Sequence, residues 1–256
     1  MKVNDKKNMN QQEPYSKPGM YTYQTRVRYS ECGASRQAGL SHILDYLQDA
    51  CTFQAEELGI GLSYMQEHQA GWVLSSWQAD LLRYPGFGET IRITTWPYDF
   101  YGFMGFRNFL VTDAAGEPLV RANSVWVFMD MRKNRAVKIT PEISHAYQVQ
   151  ERLEMEYLDR KLHNFEADSQ KPALQIPRYF IDTHHHVNNA KYILLAEELL
   201  PENFQAARVR AEYKKPAVYG DLLFPCIRQQ ADCQAVKFSD REGRPYVLME
   251  FYPLNK

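Results

Sequence analysis

No apolar run in the 256 residues approaches the length of a membrane-crossing helix, so the chain is not expected to insert into a bilayer. Charge of one sign is also lacking. Thirty Lys and Arg face 31 Asp and Glu, a net of −1, and no global field recruits nucleic acid or an anionic membrane. Cysteine is scarce: Cys32, Cys51, Cys226 and Cys233 form no C-x-x-C pair. The chain is too large to depend on disulfides, and the four read as reduced thiols in the cytoplasm. Neither G-x-G-x-x-G nor a Walker A pattern occurs, so no nucleotide cofactor is expected, and the absence of G-x-S-x-G excludes the serine-hydrolase elbow. The opening stretch, residues 1–18, is polar without an apolar core. It reads as a fraying tail and not as a signal peptide.

Aromatic residues, by contrast, make up 13% of the chain, Tyr (17) ahead of Phe (13). They fit pleated, half-buried surfaces and tilt the composition towards sheet. Residues 20–30 alternate as a strand. Leu40, Ile43, Leu44, Leu47, Cys51, Ala55 and Leu58 then recur at helical steps on one face. Ser35 or Ser41 is expected to cap this helix, and Gly59 and Gly61 to end it. Strands are expected at 71–84, 90–100, 102–113 and 118–130, joined by short turns. One apolar helix followed by four long strands implies an antiparallel α+β unit.

Residues 140–175 are polar and read as a linker with one short helix. The plan then repeats: a short first strand at Arg178–Ile181, a helix near 188–200, and strands near 206–215, 222–231, 233–240 and 245–252. Single residues repeat as well. Asp113-Ala114-Ala115-Gly116-Glu117-Pro118 and Asp240-Arg241-Glu242-Gly243-Arg244-Pro245 are both D-x-x-G-x-P turns. Tyr84-Pro85 before Gly88-Glu89 likewise echoes Lys215-Pro216 before Gly220-Asp221. Two copies of one small domain is the economical reading: 19–139 and 176–256, joined by 140–175.

Chemistry concentrates in Asp182-Thr183-His184-His185-His186-Val187-Asn188-Asn189-Ala190-Lys191-Tyr192, at the start of the second helix. A helix N-terminus offers unpaired N–H groups that polarise a carbonyl. A carboxylate and imidazoles just ahead of it can activate water or act as a nucleophile's partners. Three consecutive His cannot all face one ion and no second ligand group stands at zinc spacing, so no metal is expected. His185 is expected to face solvent. Asn188 reads either as a substrate contact or as a helix cap, with the cap favoured. Cys51, on an apolar helix face, reads as core.

This segment resembles the D-x-N-x-H-V-N-N-x-K-Y motif of plant and bacterial acyl-acyl-carrier-protein thioesterases. Arg28 to Arg36, Arg83 to Thr90 and Arg121 to Val127 resemble that family's R-x-Y-E-x-G-A-x-R, R-Y-P-x-W-G-D and R-A-x-S-x-W-V stretches. The likeness runs from about Tyr21 to Tyr252. It implies two tandem α+β hot-dog domains, each an antiparallel sheet wrapped around one helix, with the acyl chain in the first and the catalytic residues in the second. It further implies hydrolysis of a fatty acyl thioester on acyl carrier protein, with Asp182 as base or nucleophile and His186 orienting water or substrate. His184 stands at the family's Asn and brings a titratable group, so an atypical pH profile is expected. Trp72 and Trp77 are expected along the chain pocket. Lys214 and Lys215 are expected either to receive the acidic carrier or to form a solvated face. Pro216 and Ala217 stand where the family has Glu and Cys, which leaves Glu212 as a substitute acid or implies weaker turnover. Two competitors remain: an acyl-CoA thioesterase and a non-catalytic acyl-binding protein. Monomer and homodimer are both open, because a tandem chain already supplies the paired unit.

Overall fold

In chain order the computed structural model, which describes residues 17–254, begins with β1 (Tyr21–Arg26), a 3-10 turn at Tyr29–Glu31 and α1 (Leu40–Glu57). Residues 1–16 of the expected tail lie outside the described residues. α2 (Leu62–His68), β2 (Ala70–Leu81), β3 (Thr90–Tyr101), β4 (Met104–Asp113), β5 (Pro118–Asp130) and the short β6 (Arg135–Ala136) follow. Next come α3 (Pro141–Tyr147), β7 (Ser169–Gln170), β8 (Leu174–Gln175), a 3-10 turn at Arg178–Phe180, α4 (Asn189–Glu197), β9 (Ala206–Tyr213), β10 (Leu222–Gln229), β11 (Gln234–Ser239) and β12 (Pro245–Pro253).

The strands form one antiparallel sheet in the order β1-β3-β4-β5-β2-β9-β12-β11-β10-β7. The order is a palindrome. β2 and β9 meet in the middle, from Ser76 opposite Glu212 to Asp80 opposite Arg208. Each half turns its tight hairpin with the same chemistry. Asp113 Oδ1 accepts from the N–H groups of Ala115 and Glu117 while Gly116 sits at φ +92°. Asp240 Oδ1 accepts from Glu242 and Arg244 while Gly243 sits at φ +77°. Glycine takes that left-handed conformation without a Cβ clash.

One face of the sheet carries the main core. Leu40, Ile43, Leu44 and Leu47 of α1 and Ala190, Ile193 and Ala196 of α4 are buried there with Phe109, Val209, Phe238 and Phe251. Burial of side chains of this size, roughly 1.5–3 kcal/mol each, is what holds two helices on one sheet. The other face is crossed by irregular chain from residues 148 to 168. Polar side chains of the sheet satisfy its backbone, as buried backbone requires. Gln78 holds Glu156 O and Leu158 N. Asn108 Oδ1 accepts from Leu153 N and Tyr157 Oη, and Trp96 Nε1 donates to Glu151 O.

Two local expectations are corrected. Arg178–Ile181 is no strand: Phe180 N donates to Pro177 O at 3.2 Å and Ile181 N to Arg178 O at 3.1 Å, a turn that Pro177 opens. β8 pairs with β10 instead. Nor does Ser35 or Ser41 cap α1, whose N-cap is Gly39, without a side-chain bond.

Candidate active site

The two loops that enter α1 and α4 have the same backbone. An isolated bridge closes each, Cys32 to Ala38 in one and Ile181 to Val187 in the other. Arg36 at φ +60° corresponds to His185 at φ +62°. Arg36 N donates to Gly33 O, and His185 N to Asp182 O, both at 3.0 Å. Ala38 N reaches Pro85 O and Val187 N reaches Ala217 O, both at 2.9 Å. Gly39 N reaches Glu31 O and Asn188 N reaches Phe180 O, again both at 2.9 Å. Residue for residue, Gly33 therefore stands where the second loop has Asp182.

In the second loop the carboxylate folds back over its own turn. Asp182 Oδ1 accepts from His184 N at 2.8 Å and from His186 N at 3.3 Å, a local bond pattern that Asp favours. Oδ2 has no protein partner among the described residues. Asp182 and His186 are half-buried, whereas His184 and His185 are exposed. Exposure of His185 agrees with its expected place. Asn188 caps α4, its Oδ1 accepting from Ala190 N at 2.9 Å. The next residue, Asn189, is the first of the helix, and its N–H meets no acceptor among the described residues.

The α1 end differs at this point. Glu197, near the end of α4, reaches across so that Oε1 accepts from Leu40 N at 3.0 Å and Oε2 from Ser41 N at 3.2 Å. Burial raises the Glu197 carboxyl above its ordinary range, while the two N–H bonds pull it down. A carboxylate of the chain itself thus fills the first helix end, and the second stays open. Sequence reasoning missed Glu197, because its partners lie 157 and 156 positions away.

Other predicted residues scatter. Glu212 is buried on the opposite face of the sheet, accepting from Leu162 N at 2.8 Å and pairing with Lys214 at 2.6 Å. It cannot serve as the substitute acid beside Asp182, because alternate residues of a strand point to opposite faces and Ala211 faces the core. Lys215 pairs with Asp240 and lies 4.2 Å from the centre of the Tyr246 ring. Both lysines, with Arg208 on Asp80 and Arg210 on Glu250, have acidic partners. At Pro216-Ala217 no carboxylate appears. Ala217 instead lends its O to Val187 and its N–H to Tyr192 Oη at 3.2 Å, which props the loop. Burial keeps the Tyr192 phenol protonated.

Trp72 and Trp77 lie in different places. Trp77 is buried in the main core against Phe109 and Trp126. Trp72 packs in a separate cluster with Phe100 and Phe128, near Ile143 of α3. Cys51 packs against the main core, partly buried, its thiol pushed up to about 11 by desolvation.

Residues 18–147 match the family model for the acyl-ACP thioesterase N-terminal domain, and residues 164–241 that for the C-terminal domain. An acyl-[acyl-carrier-protein] hydrolase, chloroplastic, of Cuphea viscosissima is 30% identical over 223 residues, 79% of this chain and 53% of that protein. A palmitoyl-acyl carrier protein thioesterase, chloroplastic, of Cuphea hookeriana is 31% identical over 208 residues, 74% of this chain and 50% of that protein. The chain thus spans about half the length of the curated relatives it matches. Among solved structures, the acyl-ACP thioesterase from Bacteroides thetaiotaomicron superposes with a TM-score of 0.81 at 21% identity, covering 91% of this chain and 97% of its own. The 12:0-ACP thioesterase from Umbellularia californica gives 0.81 at 23%, covering 93% and 98%. The likeness to these two shows the fold.

Proposed function

Because the chain belongs to the acyl-ACP thioesterase family, we propose that it hydrolyses the thioester between a fatty acyl chain and acyl carrier protein, releasing the free acid. The observation that carries this reading is the open end of α4. Among the described residues, Asp182 Oδ2 and the Asn189 N–H are both without partners, at either end of one tight loop. In our reading Asp182 takes a proton from water, and the water oxygen bonds to the thioester carbon. The Asn189 N–H stabilises the charge that gathers on the carbonyl oxygen. The C–S bond then breaks, and the proton passes to the leaving thiolate. His186 orients the water. Attack by Asp182 itself, through a mixed anhydride that water opens, uses the same groups.

We assign the two halves of the α+β hot-dog fold to two domains, 19–139 and 176–256, with 140–175 between them. The acyl chain is assigned to the first, between α1 and the sheet, with Trp72 towards its far end. No described helix is long and apolar enough to cross a membrane. All four cysteines are free, which fits a reducing compartment, and the cytoplasm is where we place the reaction. Carrier docking at Lys214 and Lys215 has to compete with their bonds to Glu212 and Asp240. A charge reversal at both that leaves KM intact excludes it.

A second reading has one observation in its favour: no acid stands at Pro216-Ala217, so the acyl group is carried by coenzyme A, or is bound without turnover. Hydrolysis rates on acyl carrier protein and coenzyme A thioesters of equal chain length decide among the three. Faster release from the carrier protein is the expected result, and inertness on every substrate leaves acyl binding.

A further inference from the structure

On the outer face of the second half, away from the loop of Asp182, a buried ammonium has no counter-charge. Lys237 of β11 is 8% exposed. Its Nζ donates to Asn164 Oδ1 at 3.0 Å and to Phe165 O at 2.8 Å, and lies 5.1 Å from the centre of the Phe165 ring. These acceptors are neutral. No carboxylate among the described residues lies within ion-pair distance of it. An ammonium has three donors, so one remains. Holding a buried charge with no opposite charge is costly.

Two positions further along the same face, Ser239 is 2% exposed and its Oγ has no hydrogen-bond partner among the described residues. Both side chains line one cleft of about 600 Å³, within the range of small-molecule sites. Opposite them in register stand Cys226, across from Lys237, and Phe224, across from Ser239. The segment 164–167 and the hairpin at Asp240–Gly243 form the rim. Asp240 also faces the cleft, but Lys215 and Arg244 already hold its carboxylate. Glu166 on the rim is exposed, and Arg241 of the hairpin also lines the cleft.

The first half shows what this position needs when it only supports the crossing chain. Three residues before its hairpin Asp, where the second half has Lys237, stands Leu110. It is buried with Trp96 and Tyr98 and packs against Leu153 and Tyr157 of the crossing segment. An apolar residue suffices there, and no cleft or charge is required.

We propose that the cleft between β10, β11 and residues 164–167 binds a small carboxylate with an apolar tail. One carboxylate oxygen meets the spare Lys237 donor, the other meets the Ser239 hydroxyl, and the tail lies on Phe224 and Cys226. Two donors suit the two oxygens of a carboxylate, whereas a phosphate dianion leaves its third oxygen unmet and has no use for the apolar wall.

The test is a titration of the ¹⁵N-labelled full chain with hexanoate, with hexylamine and inorganic phosphate as separate arms. Hexanoate is expected to shift the amides of Cys226, Lys237 and Ser239 saturably, apart from any response near His186. Ser239→Ala, which removes no existing bond, is expected to weaken that binding at least tenfold, and Lys237→Gln at least as much. The proposal is overturned if hexanoate leaves these amides unmoved, if phosphate or hexylamine binds as well, or if Ser239→Ala binds with wild-type affinity.

Discussion

The loop before α1 and the loop before α4 share bridges, turn geometry and even the position of the left-handed residue. They differ in where a carboxylate comes from. At α4 it belongs to the loop itself, Asp182, and it bonds back to its own turn, which leaves the helix N–H of Asn189 open. At α1 the loop has Gly33, and the carboxylate arrives from the other helix as Glu197, bonded directly to Leu40 N and Ser41 N. The same backbone thus yields one end able to meet a carbonyl oxygen and one end already satisfied. What separates the two helix ends is the occupancy of their first N–H groups.

The sharpest way to break the comparison is Asn189→Pro. Proline at the first helical position removes the open N–H, Asn189→Ala is the control for the side chain lost with it, and Asn188 already has the extended backbone that a following proline wants. A fall of about 10²–10³ in kcat with the fold intact is expected, the range for loss of one oxyanion donor. Unchanged turnover removes that group from the mechanism.

Glu197→Ala acts on the opposite end. It strands two N–H groups at the start of α1, and a loss of roughly 1–3 kcal/mol in stability is expected, with kcat retained. Chemical denaturation reads the first and steady-state assay the second. A collapse of kcat at full stability would place Glu197 in the reaction instead.

Glu197→Gln tests the same contact through pH. Burial raises the folded carboxyl above its unfolded value of 4.5. The stability tied to its protonated form is therefore complete below that value and is lost as pH rises through the folded one. The melting temperature of the Gln variant should therefore gain on wild type as pH rises from below 4.5. A constant gap would mean that the carboxyl does not titrate with folding.

The smallest effect is expected from Gly33→Asp. Beyond the neighbouring residues no atom lies within 4 Å of a Cβ added there, so the twin position has room for the start of an acid side chain. With Glu197 holding the α1 N–H groups, activity should stay within about twofold, and adding Gly33→Asp to an Asp182 variant should restore nothing. Restored turnover would contradict the occupancy argument.

Much of this architecture was legible in the chain. Helical spacing from Leu40 to Leu58 and the twin D-x-x-G-x-P turns are local patterns, and local patterns fix helices and hairpins. The segment around Asp182 is local in the same way, and its loop and the helix after it lie where the spacing put them. Long-range partners were not legible. Glu197 caps α1 from the far end of another helix, and nothing beside Ser35 or Ser41 betrays that a distant acid replaces them. Glu212 looked available in sequence, yet strand alternation turned it to the other face, under Leu162. Lys214 and Lys215 looked like free charge until folding brought Glu212 and Asp240 to them.

The central claim is that the loop at 182–189 performs thioester hydrolysis, and Asp182→Asn tests it most directly. The amide keeps an oxygen for the bonds from His184 N and His186 N but cannot take a proton from water or form the anhydride. Release of fatty acid from an acyl-carrier-protein thioester by wild type and variant should differ by about 10²-fold or more, with melting temperatures alike. A variant within tenfold of wild type would contradict the account and move the chemistry elsewhere in the molecule.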